Sequence, residues 1–444
     1  MMKLRLLKRQ TKSDKAADSS SQSTDKTKTS AASATSAATP VTDEKAFRAR
    51  RDTVIRAMAL LIIASLALVF LGVFMVFSAT APSSISAHWA DPEIQPFRFA
   101  IRQAIFALVG LGGGVVLAFM KYQWFRTLAW PIILLGWTLQ GLVLVTGGEG
   151  VAGNNNWLVI GPLQMQPSEF LKLATVIWLA MMLARLSLEE IQSYRTLAIP
   201  AIGFVISIGL VVLGGDVGTG LIYILIGGGM FWLSGMKLKQ LIPAAVAVVL
   251  LATVLVVSQP TRLTRVGDYF SNLFILPDTI MPTQSEYAMF AFGSGGITGV
   301  GIGGGKEKWR DLAEAHTDFI FAVIGEELGL IGVVTVIVLF LAIGWSLVTI
   351  AMNHPDRFGQ LIAVGAALWL AGQAFANMWV VVGLLPVFGV PLPFVSMGGS
   401  SMMATLFMVG VVLSCGFGVP GVREAFRVRG SLARGARALV RRNS

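Results

Sequence analysis

Ionisable side chains are sparse along this chain of 444 residues, and those set against apolar runs fall into four groups whose types and spacing could do chemistry. Glu169 and Lys172 stand three apart in QPSEFLKLA, and Asp216 stands alone in GGDVGTG. His316, Asp318, Glu326 and Glu327 share AHTDFIFAVIGEELG, while Asp268 and Asp278 lie in a long connection between apolar runs. A positioned carboxylate can take a proton from a reacting hydroxyl, and neighbouring cations can neutralise a departing anion. Charges at a membrane edge are costly and rare, so each group marks a candidate site, although many such residues only anchor or pair helices.

Both uses stay open at each position. Glu169 and Lys172 would share one face of a helix that Pro167 and Ser168 start, where the acid suits the helix N-terminus. Asp318 and Glu326 are two helical turns apart, so both are expected on the same side of one helix. PLPFVSMGGSS, from Pro391 to Ser401, places a rigid turn before a helix start. There Ser396, Gly398, Gly399, Ser400 and Ser401 would offer hydroxyls and amides suited to a phosphate. Gly299, Gly301 and Gly304 have G-x-G-x-x-G spacing but follow no strand, and Lys306 precedes Glu307 rather than Ser or Thr. No nucleotide cofactor is therefore expected.

The elements that must hold these residues are transmembrane helices. The chain is 55% hydrophobic and 13% charged, with mean hydropathy +0.71, which leaves too little polar surface for a soluble fold of this size. The expected fold is all-α and polytopic. About ten spans lie near 57–80, 99–120, 128–146, 168–186, 196–214, 217–235, 240–258, 319–351, 358–384 and 397–418, each long enough for the hydrocarbon core. Residues 1–55 read as a disordered basic tail, 56–418 as the membrane domain with a large outer loop over 259–318, and 419–444 as a second basic tail. No signal peptide is expected, since the first apolar run follows Arg50, Arg51 and Arg56.

The net charge of +11 sits largely in the two tails. With Lys121, Arg126, Arg185, Arg195, Lys237, Lys239 and Arg357 in alternate turns, it places both termini in the cytoplasm and needs no nucleic acid. One cysteine, Cys415, permits no intrachain disulfide, and three scattered histidines make no zinc cluster. The candidate acids then share the outer face. The connection over 259–318 far exceeds an ordinary turn, and its aromatic residues and glycines argue for order.

QPSEFLKLA, GGDVGTG, AHTDFIFAVIGEELG and PLPFVSMGGSS, in this order and spacing, resemble the SEDS family of shape, elongation, division and sporulation proteins, over residues 57–418. GEELG resembles its division branch more than its elongation branch. The resemblance implies a peptidoglycan glycosyltransferase that polymerises lipid II, the undecaprenyl-diphosphate disaccharide-pentapeptide, outside the cytoplasmic membrane and at the division septum. It implies a catalytic acid in the outer loop, matched best by Asp278 with Asp268 as fallback. Substrate and diphosphate contacts are expected from Trp157, Glu169, Lys172, Asp216, Arg262, Arg265, His316, Asp318, Glu326 and the Ser396–Ser401 turn. A class B penicillin-binding transpeptidase and other divisome proteins are the implied partners.

Two departures matter. The family's basic RRW wording is here Asn154, Asn155, Asn156 and Trp157, and the tyrosine before the paired glycines is Met397. Charge neutralisation then falls to Lys172, Arg262, Arg265, Lys306 or a divalent cation, Mg or Mn. Two rival readings carry the same resemblance: a flippase for the same lipid, and a non-enzymatic division scaffold. A flippase should hold polar groups near mid-membrane, whereas here they gather at outer helix ends and no internal repeat is seen.

Overall fold

Apolar runs of this length can satisfy their backbone in lipid only as helices, and the computed structural model is a helical bundle. It describes residues 40–426 apart from 92, 94, 96, 147–148, 152–153, 161–162, 310–311, 313 and most of 244–281. The long helices are α1 (Pro40–Ala90), α2 (Arg98–Phe119), α4 (Ala129–Thr146), α5 (Pro167–Ala184), α7 (Tyr194–Leu213) and α8 (Val217–Ser234). After the described part of the outer loop come α10 (Ile320–Asn353), α11 (Arg357–Val381) and α12 (Gly399–Phe417). Short helices α3 (Tyr122–Thr127), α6 (Leu188–Ile191) and α9 (Gln284–Gly295) complete the set. Nine of these helices are long and apolar enough to cross a membrane among the described residues.

The expected span at 240–258 and the tails 1–39 and 427–444 fall mostly or wholly outside the described residues. One expectation is corrected. Residues 40–55 are not part of a disordered tail: α1 starts at Pro40, and Val54 and Met58 bury their side chains on the same helix as the membrane segment. The connection at 147–167 is short but ordered in part. It contains a three-stranded antiparallel sheet of β1 (Glu149–Val151), β2 (Asn154–Ile160) and β3 (Leu163–Met165), whose backbone groups pair with one another.

α5 and α12 are the most buried spans, at 78% and 83% of their apolar windows, and the other helices surround them. α12 lies close against α2, where a Cβ added to Gly410 would come within 2.2 Å of the Gly114 carbonyl, so small residues set that spacing. At the end opposite the sheet, arginines cap helix C-termini: Arg50 donates to Asn353 O (2.7 Å), Arg357 to Ser234 O (2.7 Å) and Arg423 to Phe119 O (3.1 Å). The basic residues that mark one membrane side thus also close the helix ends there.

α10 is broken once. Gly329 takes φ 64° and ψ −161°, a conformation essentially confined to glycine. Non-helical backbone at this depth must find partners in protein. The segment 296–301 supplies them: Val300 and Gly301 donate to the carbonyls of Glu326 and Glu327 at 3.0 and 3.2 Å, and Leu330 donates to Gly296 O at 3.0 Å.

Candidate functional site

Six segments converge on a cavity of about 440 Å³ at the sheet-bearing end of the bundle: the start of α2, the strand β2, the start of α5, the turn before α8, and the segments leading into α10 and into α12. Trp157, Glu169, Asp216, His316, Asp318, Gly398, Gly399, Ser400 and Ser401, all expected from sequence, lie on its wall. Helix beginnings dominate it, where first-turn amides lack partners within their own helices.

Glu169 accepts from Lys172 Nζ through Oε1 at 2.8 Å, with both side chains 1% exposed. Its Oε2 has no hydrogen-bond partner among the described residues, which leaves one carboxylate oxygen for a ligand. Lys172 is behind the wall rather than on it, because Gln373 Oε1 accepts from its ammonium at 3.0 Å and the Trp369 ring packs on it at 5.2 Å. The expected role of Lys172 as a direct diphosphate contact is thus corrected to a buried counter-charge.

Asp216 caps α8 through Thr219 N at 2.9 Å and accepts from Gln166 Nε2 at 3.1 Å. Burial raises its carboxyl above the usual range, opposed by the bonds from Thr219 and the Lys172 charge. His316 is pushed below its ordinary value by burial, against the nearby Glu314 charge, which favours a neutral ring. Asp318 sits on the wall just outside α10, and its backbone carbonyl accepts from Asn377 Nδ2 at 2.8 Å.

The shared face expected for Asp318 and Glu326 does not form. Helix α10 starts only at Ile320, so Asp318 belongs to the preceding turns and faces the cavity. Glu326 instead reaches the outer loop, where its Oε1 accepts from Lys306 N at 2.6 Å. Ser396 is not on the wall; its hydroxyl donates to Thr317 O at 2.5 Å and accepts from Leu392 N at 2.7 Å, joining the two segments that flank the site. Among the described residues the non-glycine positive φ values are at Glu314 (57°) and Phe394 (65°), one on each of those segments. Strained backbone of this kind persists where surrounding bonds over-determine it. Asp278, Asp268, Arg262 and Arg265 lie outside the described residues.

Sequence reasoning missed Arg102. Among the described residues on the wall it carries the positive charge, sharing the cavity with Glu169, Asp216, Glu314 and Asp318, and its guanidinium packs over Phe106 at 5.6 Å. The signal was present in RFAIRQAIF, where Arg98 and Arg102 stand four apart at the start of an apolar run. The next residue, Gln103, is buried, donates to Ser396 O at 3.1 Å and accepts from Gly398 N at 3.2 Å, tying α2 to the turn before α12. No group of three or more His, Cys, Asp or Glu able to hold a metal occurs among the described residues.

Comparisons agree with this architecture. The "Cell cycle protein" family of FtsW, RodA and SpoVE matches residues 58–416. The probable peptidoglycan glycosyltransferase FtsW of Mycobacterium tuberculosis is 36% identical over 374 residues, covering 83% of this chain and 69% of that protein. The stage V sporulation protein E of Bacillus subtilis is 35% identical over 80% of this chain and 95% of its own. Among solved structures, a chain from a peptidoglycan synthase complex that coordinates polymerization and crosslinking superposes with a TM-score of 0.65 at 27% identity, covering 81% of this chain and 98% of that one. The rod shape determining protein RodA of Thermus thermophilus gives 0.59 at 27% identity, covering 81% and 96%.

Proposed function

The chain belongs to the FtsW, RodA and SpoVE family of cell cycle proteins, and from that premise we propose that it polymerises lipid II into glycan strands at the outer face of the cytoplasmic membrane. It is a multi-pass membrane protein and a peptidoglycan glycosyltransferase, a hexosyltransferase; the septal role follows the FtsW relatives. The observation that carries the reading is the cavity: a space at the sheet-bearing end of the bundle lined by carboxylates and one arginine.

Joining an α-linked donor to an acceptor hydroxyl as a β-1,4 link inverts the anomeric carbon, which calls for one in-line displacement and one base. Asp318, on the cavity wall at the end of the long outer loop, is the acid placed for it. Its carboxylate takes the acceptor hydroxyl proton as the oxygen attacks, and the bond from the anomeric carbon to the diphosphate breaks with its electron pair leaving on the diphosphate. Such a base contributes on the order of 10²–10⁴-fold. Arg102 and the first turn of α12 receive the growing negative charge, which they stabilise more in the transition state than before it. Glu169 Oε2 and Asp216 are placed to orient sugar hydroxyls or amides. A divalent cation, Mg or Mn, would add positive charge on the diphosphate, carried with the substrate, since the described wall residues form no group to hold it.

Both substrates bear a polyprenyl tail, so the bilayer confines them to the layer in which the cavity opens and turns a three-dimensional search into local positioning. A class B penicillin-binding transpeptidase and other divisome proteins are the partners this role calls for. The experiment is lipid II polymerisation by the purified protein, with and without that transpeptidase, beside a headgroup-accessibility assay in vesicles. Strand formation supports a polymerase. Translocation of the headgroup with no strands at any partner concentration would make the chain a flippase, and neither activity would leave a scaffold.

A further inference from the structure

A diphosphate entering the cavity meets more negative charge than positive. The wall carries the carboxylates of Glu169, Asp216, Glu314 and Asp318 against the guanidinium of Arg102. Lys172 stands behind it, already paired with Glu169 at 2.8 Å. The described residues include no group of acids and histidines able to hold a metal. An anion is stabilised in such a space only when further positive charge comes with it. Among the described wall residues, the remaining side chain able to become a cation is His316.

Its placement is fixed by the backbone. Glu314 opens the turn with a left-handed φ of 57°. Its carbonyl accepts from Thr317 N at 3.1 Å and Phe319 N at 3.2 Å, and its Oε2 accepts from the Thr317 hydroxyl at 2.6 Å. Between them, His316 O accepts from Met397 N at 2.9 Å, and Thr317 O accepts from Ser396 Oγ at 2.5 Å. His316 is therefore held next to the residues that start α12, where first-turn amides would meet the diphosphate. Its ring lies 6.5 Å from that of Phe99, which also lines the cavity, and Arg98 packs over the same Phe99 ring at 4.6 Å.

The charged groups around His316 among the described residues are Glu314 and Asp318 on its own segment, Arg98 and Arg102 on α2, Glu169 with Lys172 on α5, and Asp216 before α8. The segment 387–398 leading into α12 brings none. On its own, the ring is held below its ordinary value, because burial disfavours the charged form and outweighs the Glu314 carboxylate; it is neutral near pH 7. A diphosphate alongside acts in the opposite direction, since an anion in a space of low dielectric favours imidazolium. Binding of the anion and binding of the proton then assist one another, each by the same factor.

We propose that the cavity takes up its diphosphate-linked donor together with a proton, which His316 holds, so that an imidazolium joins Arg102 against the diphosphate. The proton passes from solvent to a ring nitrogen as the donor binds and returns to solvent when the diphosphate product leaves. The proposal rests on the reading of this cavity as the donor site, and it is independent of which loop acid serves as the base. Affinity for the diphosphate is highest at acid pH, where His316 is already charged. It declines as pH rises from the ring's value in the free protein to its value in the complex, by up to about tenfold per pH unit while one proton is linked.

The test is calorimetric titration of the full-length purified protein with farnesyl diphosphate, a short prenyl diphosphate, near pH 7 in two buffers of unlike ionisation heat, with divalent cation concentration fixed. The ligand's own phosphate titrates in this range, so the difference between proteins is read. Expected is uptake of on the order of one proton more per ligand bound by the native protein than by His316→Asn. Between about pH 6.5 and pH 8, native affinity should fall on the order of tenfold more than that of the variant. Asp216→Asn should keep the native uptake. Equal uptake by the native protein and His316→Asn would overturn the proposal, as would uptake lost in Asp216→Asn and kept in His316→Asn, which makes the aspartate the carrier. His316→Gln serves if His316→Asn is not monodisperse, and native heats that do not depend on the buffer overturn the proposal with no variant at all. A native protein that binds no farnesyl diphosphate at any pH would remove the donor-site reading itself, whereas binding with no proton linked to His316 leaves that reading and removes the proposal alone.

Discussion

At the residue scale, Asp216 shows how one carboxylate serves both structure and site. Its folded-state pKa is raised by burial, so the folded chain holds this proton more tightly than the unfolded chain does. Stability from this group is therefore greatest below the ordinary carboxylate range and declines as pH rises through that value toward the folded one. Asp216→Asn keeps an N-cap acceptor and removes the titration. Its unfolding temperature relative to the native protein should rise between pH 4.5 and pH 8, and an offset that is flat with pH would contradict the assignment. Arg102→Gln should weaken use of a diphosphate-linked donor by about 10–100-fold in kcat/KM, the loss of one charge-assisted contact worth ~1.5–3 kcal/mol. Steady-state polymerisation kinetics measure it, and an unchanged kcat/KM would remove Arg102 from the diphosphate site.

At the scale of elements, the broken helix α10 and the glycine loop form one unit. Gly329 needs its left-handed backbone, and an added Cβ would stand 2.3 Å from Gly299 N. Gly329→Ala should destabilise the protein by at least about 1–3 kcal/mol from backbone strain, seen as a lowered unfolding temperature in detergent; a native value would mean that the turn relaxes freely. Here the limits of reading from sequence are physical. Hydropathy gave the spans, because burial in lipid needs only length and composition, and the helix start at Pro167 followed from local chemistry. Gly329 interrupts no apolar pattern, so a break satisfied by a loop thirty residues earlier leaves no periodic trace. Asp318 and Glu326 looked co-facial only while α10 was assumed to begin before Asp318. The spacing of Glu169 and Lys172 predicted their contact, but not that Trp369 and Gln373, two hundred residues away, would draw the lysine behind the wall. Arg102 stands with Arg98 at the start of an apolar run, where a cation reads as a membrane-edge anchor, and only the fold brings it to the carboxylates of other helices.

At the scale of the whole molecule, the two ends of the bundle do different work. One end is closed by arginines on helix C-termini; the other opens into a cavity built largely from helix beginnings, with carboxylates and one arginine on its wall. The cavity itself is lined by helix N-termini, which favour anions, whereas the helix C-termini at the other end take cations. That arrangement suits the diphosphate-linked donor of the proposed function. The most direct test of the central claim is lipid II polymerisation by purified Asp318→Ala protein, beside Asp278→Ala and Asp268→Ala, each shown to insert and remain monodisperse. The expected result is a fall on the order of 10²–10⁴-fold for Asp318→Ala, the contribution of a general base, with strand synthesis retained by the other two. Full polymerisation by Asp318→Ala, with loss in Asp278→Ala or Asp268→Ala, would contradict it and move the base to that acid of the same outer loop.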